Sequence, residues 1–383
     1  MPSGLRAKLN AMKTGPSAPP KQPAKTGGLM CRVHRLPLED GLFDLSPTGL
    51  RRMGWSGRIF DIRKCLFLDT ETTGLSKGAG TIAFLVGIGY VDGNDFVVEQ
   101  FQMRDYPDEP ELISCLSERM ARFDCVCTFN GKNFDMPLLE SRFTMCRMRH
   151  LWKDMENVDL LYPARRAWKL RLGSCRLARL EEMILGMARD SDLPGSEVPQ
   201  RFFDYLKTGD ESLLTDILDH NRQDIATLAT LLVKLCAIND APESLTDRRD
   251  LFSMGKALER QGEFKPAREL YRISAIPAPA GTLSALTGER ISGLANQRLC
   301  MLHRKAGDYE SMRAVLEQML IRRQMPGWAL IELSKLFEHR FKDCAKALEY
   351  ARKAGQYPDC EAPEALEKRI ARLKYKVEHQ TDI

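Results

Sequence analysis

A chain of 383 residues with 43% hydrophobic content is long enough for two domains and apolar enough for a sizeable core. Its 57 basic and 52 acidic residues leave a formal charge of +5, too mild an excess to imply a nucleic-acid partner by itself. The eleven cysteines form no Cys-x-x-Cys pair or zinc-type Cys/His cluster, and no stretch approaches the ~20 apolar residues of a membrane helix; this argues against a disulfide scaffold, a structural zinc protein and a membrane protein, and places the chain in the reducing cytoplasm.

Residues 1–28 hold basic residues and no acid among Pro, Ala and Gly, and read as a disordered, solvated tail, with an organelle transit peptide as the alternative. Residues 29–60 form an ordered lead-in that offers an edge element. Cys65–Leu68 is a strand running into Asp69-Thr-Glu71-Thr-Thr-Gly74. Thr81–Val91, broken by Gly87 and Gly89, is the second strand, and a turn at 92–95 leads to the third, Phe96–Met103. Glu109–Arg122 opens as a helix should, with Asp, Glu and Pro. A buried strand at Asp124–Phe129 follows. A helix from Phe134 to Arg147 carries Leu138, Leu139 and Phe143 near helical spacing, and Val158–Leu161 is a short fifth strand. The pattern is then helical to Cys236, with a break at Leu193-Pro194-Gly195.

Beyond residue 240 only helices are expected. Gly255, Leu258, Gly262, Ala267, Tyr271 and Pro279 fit the tetratricopeptide pattern of about 34 residues. A second pair spans Leu299–Leu320 and turns at Gly307-Asp308-Tyr309; a third spans Trp328–Ala354 and turns near Lys342-Asp343. The division is thus a tail (1–28), an α/β domain (29–240) and a domain of stacked helical hairpins (241–383). Each hairpin in such an array buries its apolar stripe only against a neighbour.

The chemistry centres on acids. Asp69 and Glu71, two apart on an extended segment, point to one face and can reach one hard cation such as Mg2+ or Mn2+. Asp135 falls in the first turn of a helix, where the helix dipole alone would favour an acid. His220 and Asp224, four apart at the opening of the last helix of the domain, are separated by about 40° of rotation and share a face. Each feature has an ordinary structural explanation, but their order along an alternating α/β pattern does not.

Asp-x-Glu, then Asn130-x-x-x-Phe134-Asp135, then His220-x-x-x-Asp224 resembles the DEDD family of 3′→5′ exonucleases, and more narrowly the YprB-type ribonuclease H-like domain with helical repeats attached. The stretches 81–89, 159–166 and 175–177 add to the likeness, which covers about residues 60–237. It implies a ribonuclease H-like mixed five-stranded sheet flanked by helices. It also implies a two-metal nuclease acting on DNA or RNA, at ends or on single strands. In that family Asp69, Glu71 and Asp224 would hold the ion that activates water, with Asp69 bridging to a second ion supported by Asp135. His220 would orient or deprotonate the water. The family's His branch places this residue five before the last Asp, whereas here the spacing is four. Thr72, Gly74, Leu75, Asn130, Lys132 and Phe134 would contact substrate.

From Tyr162 to Leu180 the chain carries Arg165, Arg166, Lys169, Arg171, Arg176 and Arg179 around Trp168, with no acid. Such a segment suits phosphates and an unpaired base, with Arg165, Arg166 and Lys169 nearest the acids in sequence; a basic solvated helix with a core Trp is the alternative. The competing functional reading is a catalytically weak platform whose repeats bind a protein partner.

Overall fold

The computed structural model describes residues 28–56, 59–74, 80–149, 155–187, 193–276 and 285–379. The expected tail, apart from Gly28, lies outside the described residues, as do Leu75 and Pro279.

Six strands form one mixed sheet in the order β1-β4-β3-β2-β5-β6. They are β1 (Met30–Pro37), β2 (Cys65–Thr72), β3 (Ala83–Asp92), β4 (Asp95–Gln102), β5 (Cys125–Thr128) and β6 (Glu156–Asp159). The β1/β4, β4/β3 and β3/β2 pairs are antiparallel; β2/β5 and β5/β6 are parallel. The sixth strand is β1, the edge element of the lead-in. It alternates half-buried with exposed residues, as an edge covered on one side does, and ties to its neighbours through Arg32 to Gln102 and Arg35 to Asp92 and Asp95.

Seven α-helices accompany the sheet among the described residues: α1 (Pro47–Met53), α2 (Glu109–Met120), α3 (Asp135–Met145), α4 (Leu161–Leu172), α5 (Leu177–Leu180), α6 (Val198–Thr208) and α7 (Ser212–Asp240). Strand β2 shows how the sheet is sandwiched. Cys65 and Phe67 pack in one cluster with Ile225, Leu228 and Leu232 of α7. Leu66 and Leu68 pack in another, with Leu112 and Leu116 of α2 and Leu139 and Phe143 of α3. Side chains alternate along a strand, so Asp69 and Glu71 continue the α7 face and Thr70 the other.

Two of the shifted boundaries bear on the candidate site. The fifth expected strand ends at Asp159, not Leu161, because the Asp159 carboxylate accepts the Leu161 N–H (3.1 Å) and starts a helix there. The last helix of the domain opens at Ser212, eight residues before His220. Gly209 ends α6 in the left-handed region, and the Asp210 side chain accepts the Ser212 N–H (3.0 Å) to start α7. The His220–Asp224 pair therefore sits inside a 29-residue helix.

After residue 240 come α8 (Arg248–Arg260), α9 (Phe264–Ser274), α10 (Ala285–Ala306), α11 (Tyr309–Ile321), α12 (Pro326–Leu336), α13 (Cys344–Ala354) and α14 (Pro363–Glu378). Sequential neighbours pack on each other throughout. The hairpin turns pass through residues with positive φ: Gly262, Gly307 and Lys342. The first hairpins also join the α/β layer. Leu251, Leu258, Leu270 and Leu299 belong to the same buried cluster as Ile225 and Leu235, and Arg171–Asp250 (2.7 Å) and Arg52–Glu263 (2.6 Å) bridge residue 240. Among the described residues, no helix is long and apolar enough to cross a membrane.

Candidate active site

Asp69 of β2 pairs with Gly87 of β3, and Gly87 pairs with Gln100 of β4, so these three residues lie in one row across the sheet. Helix α7 crosses that row with Asn221 above Gly87. A Cβ on Gly87 would lie 2.2 Å from both Asn221 Oδ1 and Ile225 Cδ1, and one on Gly89 would lie 2.5 Å from Ile225 Cγ2. The two glycines that break the apolar run are therefore where the helix backbone approaches the sheet. Asn221 uses the space to bridge the row: its Nδ2 donates to Asp69 Oδ2 (2.9 Å) and its Oδ1 accepts from Gln100 Nε2 (2.9 Å). Gln100 also donates to the Leu218 carbonyl (2.8 Å), so the amide chain is anchored to α7 at a second point.

On the same helix His220 Nδ1 stands 3.7 Å from Asp224 Oδ2, and both side chains are half-buried. Asp135 arrives from the other side of the sheet. It is buried at the start of α3 and accepts a 2.6 Å hydrogen bond from Thr70 Oγ1, the residue between Asp69 and Glu71. Thr72 ends β2, where the register with β3 shifts, and its hydroxyl donates to the Gly74 carbonyl (2.8 Å).

The electrostatics couple these acids. Burial pushes the Asp69 carboxyl well above the usual range, and Asp224, Asp135 and Glu71 add to the rise, partly opposed by the Asn221 hydrogen bond. Glu71 is pushed up to about 8 by burial and then by Asp224 and Asp135. Asp135 is pushed up to about 6 by burial, with the Thr70 hydrogen bond pulling it down and Asp159 adding a small rise. Like charges in a half-buried site keep one another protonated. Among the described residues, however, no three His, Cys, Asp or Glu side chains are gathered closely enough to form a metal cage. The donor set itself, all carboxylate oxygens, is the chemistry that hard divalent cations take.

Asp159 shapes the approach to Asp135. It is buried at the end of β6 and accepts the N–H groups of Asn130 (2.7 Å) and Lys132 (3.2 Å), holding the loop in which Asn130 adopts a φ of 66°. Lys132 and Phe134 are exposed on this loop. Asn133 Nδ2 donates to the Tyr162 hydroxyl (2.7 Å), fixing an exposed ring beside it. A cavity of about 600 Å³ is lined here by Lys132, Asp159, Tyr162 and Arg166.

The basic segment divides by role. Arg165 and Lys169 are exposed on α4. Arg166 is half-buried and donates to the Met53 (2.7 Å) and Arg52 (3.3 Å) carbonyls, and burial lowers its pKa; it ties α4 to α1 while keeping a place on the cavity wall. Trp168 is 1% exposed and belongs to the core, so it has no free face for a base.

A model of the RNase H superfamily matches residues 66–236, a span that holds Asp69, Glu71, Asp135, His220 and Asp224. The uncharacterized protein YprB of Bacillus subtilis (strain 168) is 31% identical over 334 residues, covering 84% of this chain and 77% of that protein. The chain belongs to the YprB family. Among solved structures, the family B DNA polymerase of the hyperthermophilic archaeon Pyrobaculum calidifontis is 14% identical with a TM-score of 0.36, over 64% of this chain and 30% of the polymerase. This YprB-family chain thus spans under a third of that polymerase, and so loose an overlay adds nothing to the fold argument. The ribonuclease H-like fold of the YprB-family domain rests on the family match and the mixed sheet.

Proposed function

We propose that this YprB-family chain is a metal-dependent nuclease of the DEDD type that removes nucleotides 3′→5′ from DNA or RNA with two Mg2+ or Mn2+ ions. The observation that supports this best is the raised pKa of Asp69 and Glu71 on β2, to which Asp224 of α7 and Asp135 of α3 both contribute. Strongly perturbed acids of this kind are candidates for a functional site. Bound divalent ions would supply a nucleophilic water near neutral pH and neutralise charge on the leaving oxygen.

The chain's own groups take the other tasks. Asp69, Glu71 and Asp224 would hold one ion, and Asp135 would help hold the second. The Gln100–Asn221 amides keep Asp69 turned toward α7. His220, beside Asp224, would orient the attacking water or take its proton. Lys132 meets a backbone phosphate at the loop before Asp135. The helical hairpins, read as tetratricopeptide-like repeats, extend the surface for substrate or a protein partner.

The test is to incubate the full chain with 5′-labelled single- and double-stranded DNA and RNA in Mn2+, Mg2+ or EDTA. The expected result is a ladder shortened from the 3′ end with metal and intact substrate with EDTA. Products that persist in EDTA would remove the metal from the account. No product from any substrate would favour the catalytically weak platform instead.

A further inference from the structure

The first helical hairpin meets the α/β layer along a basic groove of about 580 Å³ between α4 and α8. Arg165 and Lys169 line it from α4, Lys256 and Arg260 line it from α8, and no acidic side chain lines it among the described residues. Each pair is spaced i, i+4, about 6 Å along its helix axis. The acids nearby in sequence are engaged elsewhere: Asp250 with Arg171 (2.7 Å), Glu259 with the Tyr271 hydroxyl (2.6 Å) and Glu263 with Arg52 (2.6 Å). The groove also adjoins the cavity beside the loop that enters Asp135. Tyr162 and Arg166 line both the groove and that cavity, which also holds Lys132 and Asp159.

We propose that this groove binds the phosphodiester backbone of a single nucleic-acid strand whose end lies in the acidic site, which makes Lys256 and Arg260 of the first hairpin substrate contacts. The inference rests on the nuclease reading and extends its binding surface across residue 240. Cations on facing helices suit a flexible chain of phosphates, and the exposed Tyr162 ring at the junction suits an unstacked base. An acidic peptide would satisfy the charges, but it gives no reason for the groove to open onto the loop before Asp135.

The experiment uses the full chain and a Lys256→Gln/Arg260→Gln variant, with circular dichroism to confirm that both are folded. Fluorescence anisotropy measures binding of oligothymidine, oligouridine and polyglutamate in EDTA as NaCl rises. The expected result is roughly tenfold weaker binding of the strands at low salt. The slope of log affinity against log salt should fall by about 1.4, since each lost phosphate contact on a single strand removes ~0.7. The thymidine and uridine arms show whether DNA, RNA or both occupy the groove. If the double variant does not fold, Arg260→Gln alone gives the same comparison with a slope change of about 0.7. Wild-type binding with an unchanged affinity and slope in the variant overturns the groove and leaves the nuclease reading standing. Losing only polyglutamate binding also overturns it, in favour of an acidic partner. A wild-type chain that binds neither strand overturns the groove and the nuclease reading together.

Discussion

Asp69→Asn should lower phosphodiester cleavage by on the order of a thousandfold or more, because residues that act as one catalytic unit fail together. The same change should raise the stability of the metal-free protein at alkaline pH. Asp69 and Glu71 both keep a proton in the folded state that the unfolded chain has already shed, Glu71 from an ordinary value of 4.5 up to about 8. The folded state therefore binds more protons than the unfolded state across that window. The stability these groups contribute is fully present below their unfolded pKa values and is lost as pH rises toward the folded ones. Asparagine carries no charge to desolvate or repel. In EDTA the variant should melt above the wild type near pH 8, with the gap closing toward about pH 5. Melting curves at several pH values, alongside cleavage in Mn2+, check both halves. Wild-type cleavage by the variant removes Asp69 from the site.

Gly87→Val should be the most damaging single change to the sheet. Its first added carbon would lie 2.2 Å from Asn221 Oδ1 and from Ile225 Cδ1, and Ile225 is fully buried, so α7 must lift away. Overpacking of this kind costs about 3 kcal/mol. Cleavage should fall as well, because the displaced Asn221 no longer holds Asp69. Gly195→Ala, which adds its carbon into open space, is the control and should change stability by less than about 0.5 kcal/mol. Urea denaturation distinguishes them; a stable, active Gly87→Val protein would mean that the close approach of α7 does not organise the site.

The acids could be read from the sequence because their signal is local: Asp69 and Glu71 lie two apart on a strand, and His220 and Asp224 lie four apart on a helix. The element order was legible for the same reason, since periodicity and turn residues are short-range features. What joins them was not. The Asp69–Gly87–Gln100 row is a strand register, and register depends on pairings that no single segment contains. Gly87 and Gly89 looked like breaks in an apolar run, although their function is to admit Asn221 and Ile225. The ends of His220-Asn-Arg-Gln-Asp224 stood out, and the Asn between them, which grips Asp69, did not. Asp159 appeared only as part of a motif, because its work is to accept backbone N–H groups from a loop 29 residues away. Trp168 was ambiguous until its burial placed it in the core.

In the proposed site Asp69, Glu71, Asp135 and Asp224 form one metal-holding group although they approach from both faces of β2. Calorimetric titration of the full chain with Mn2+ near neutral pH, in two buffers of different ionisation enthalpy, tests it directly. Acids held protonated by burial and by one another must release protons when an ion binds. The account predicts saturable binding of two ions per chain with net proton release, and loss of at least one ion with most of that release in Asp69→Asn. Absence of saturable binding, or binding that releases no protons and is unchanged in Asp69→Asn, would contradict it.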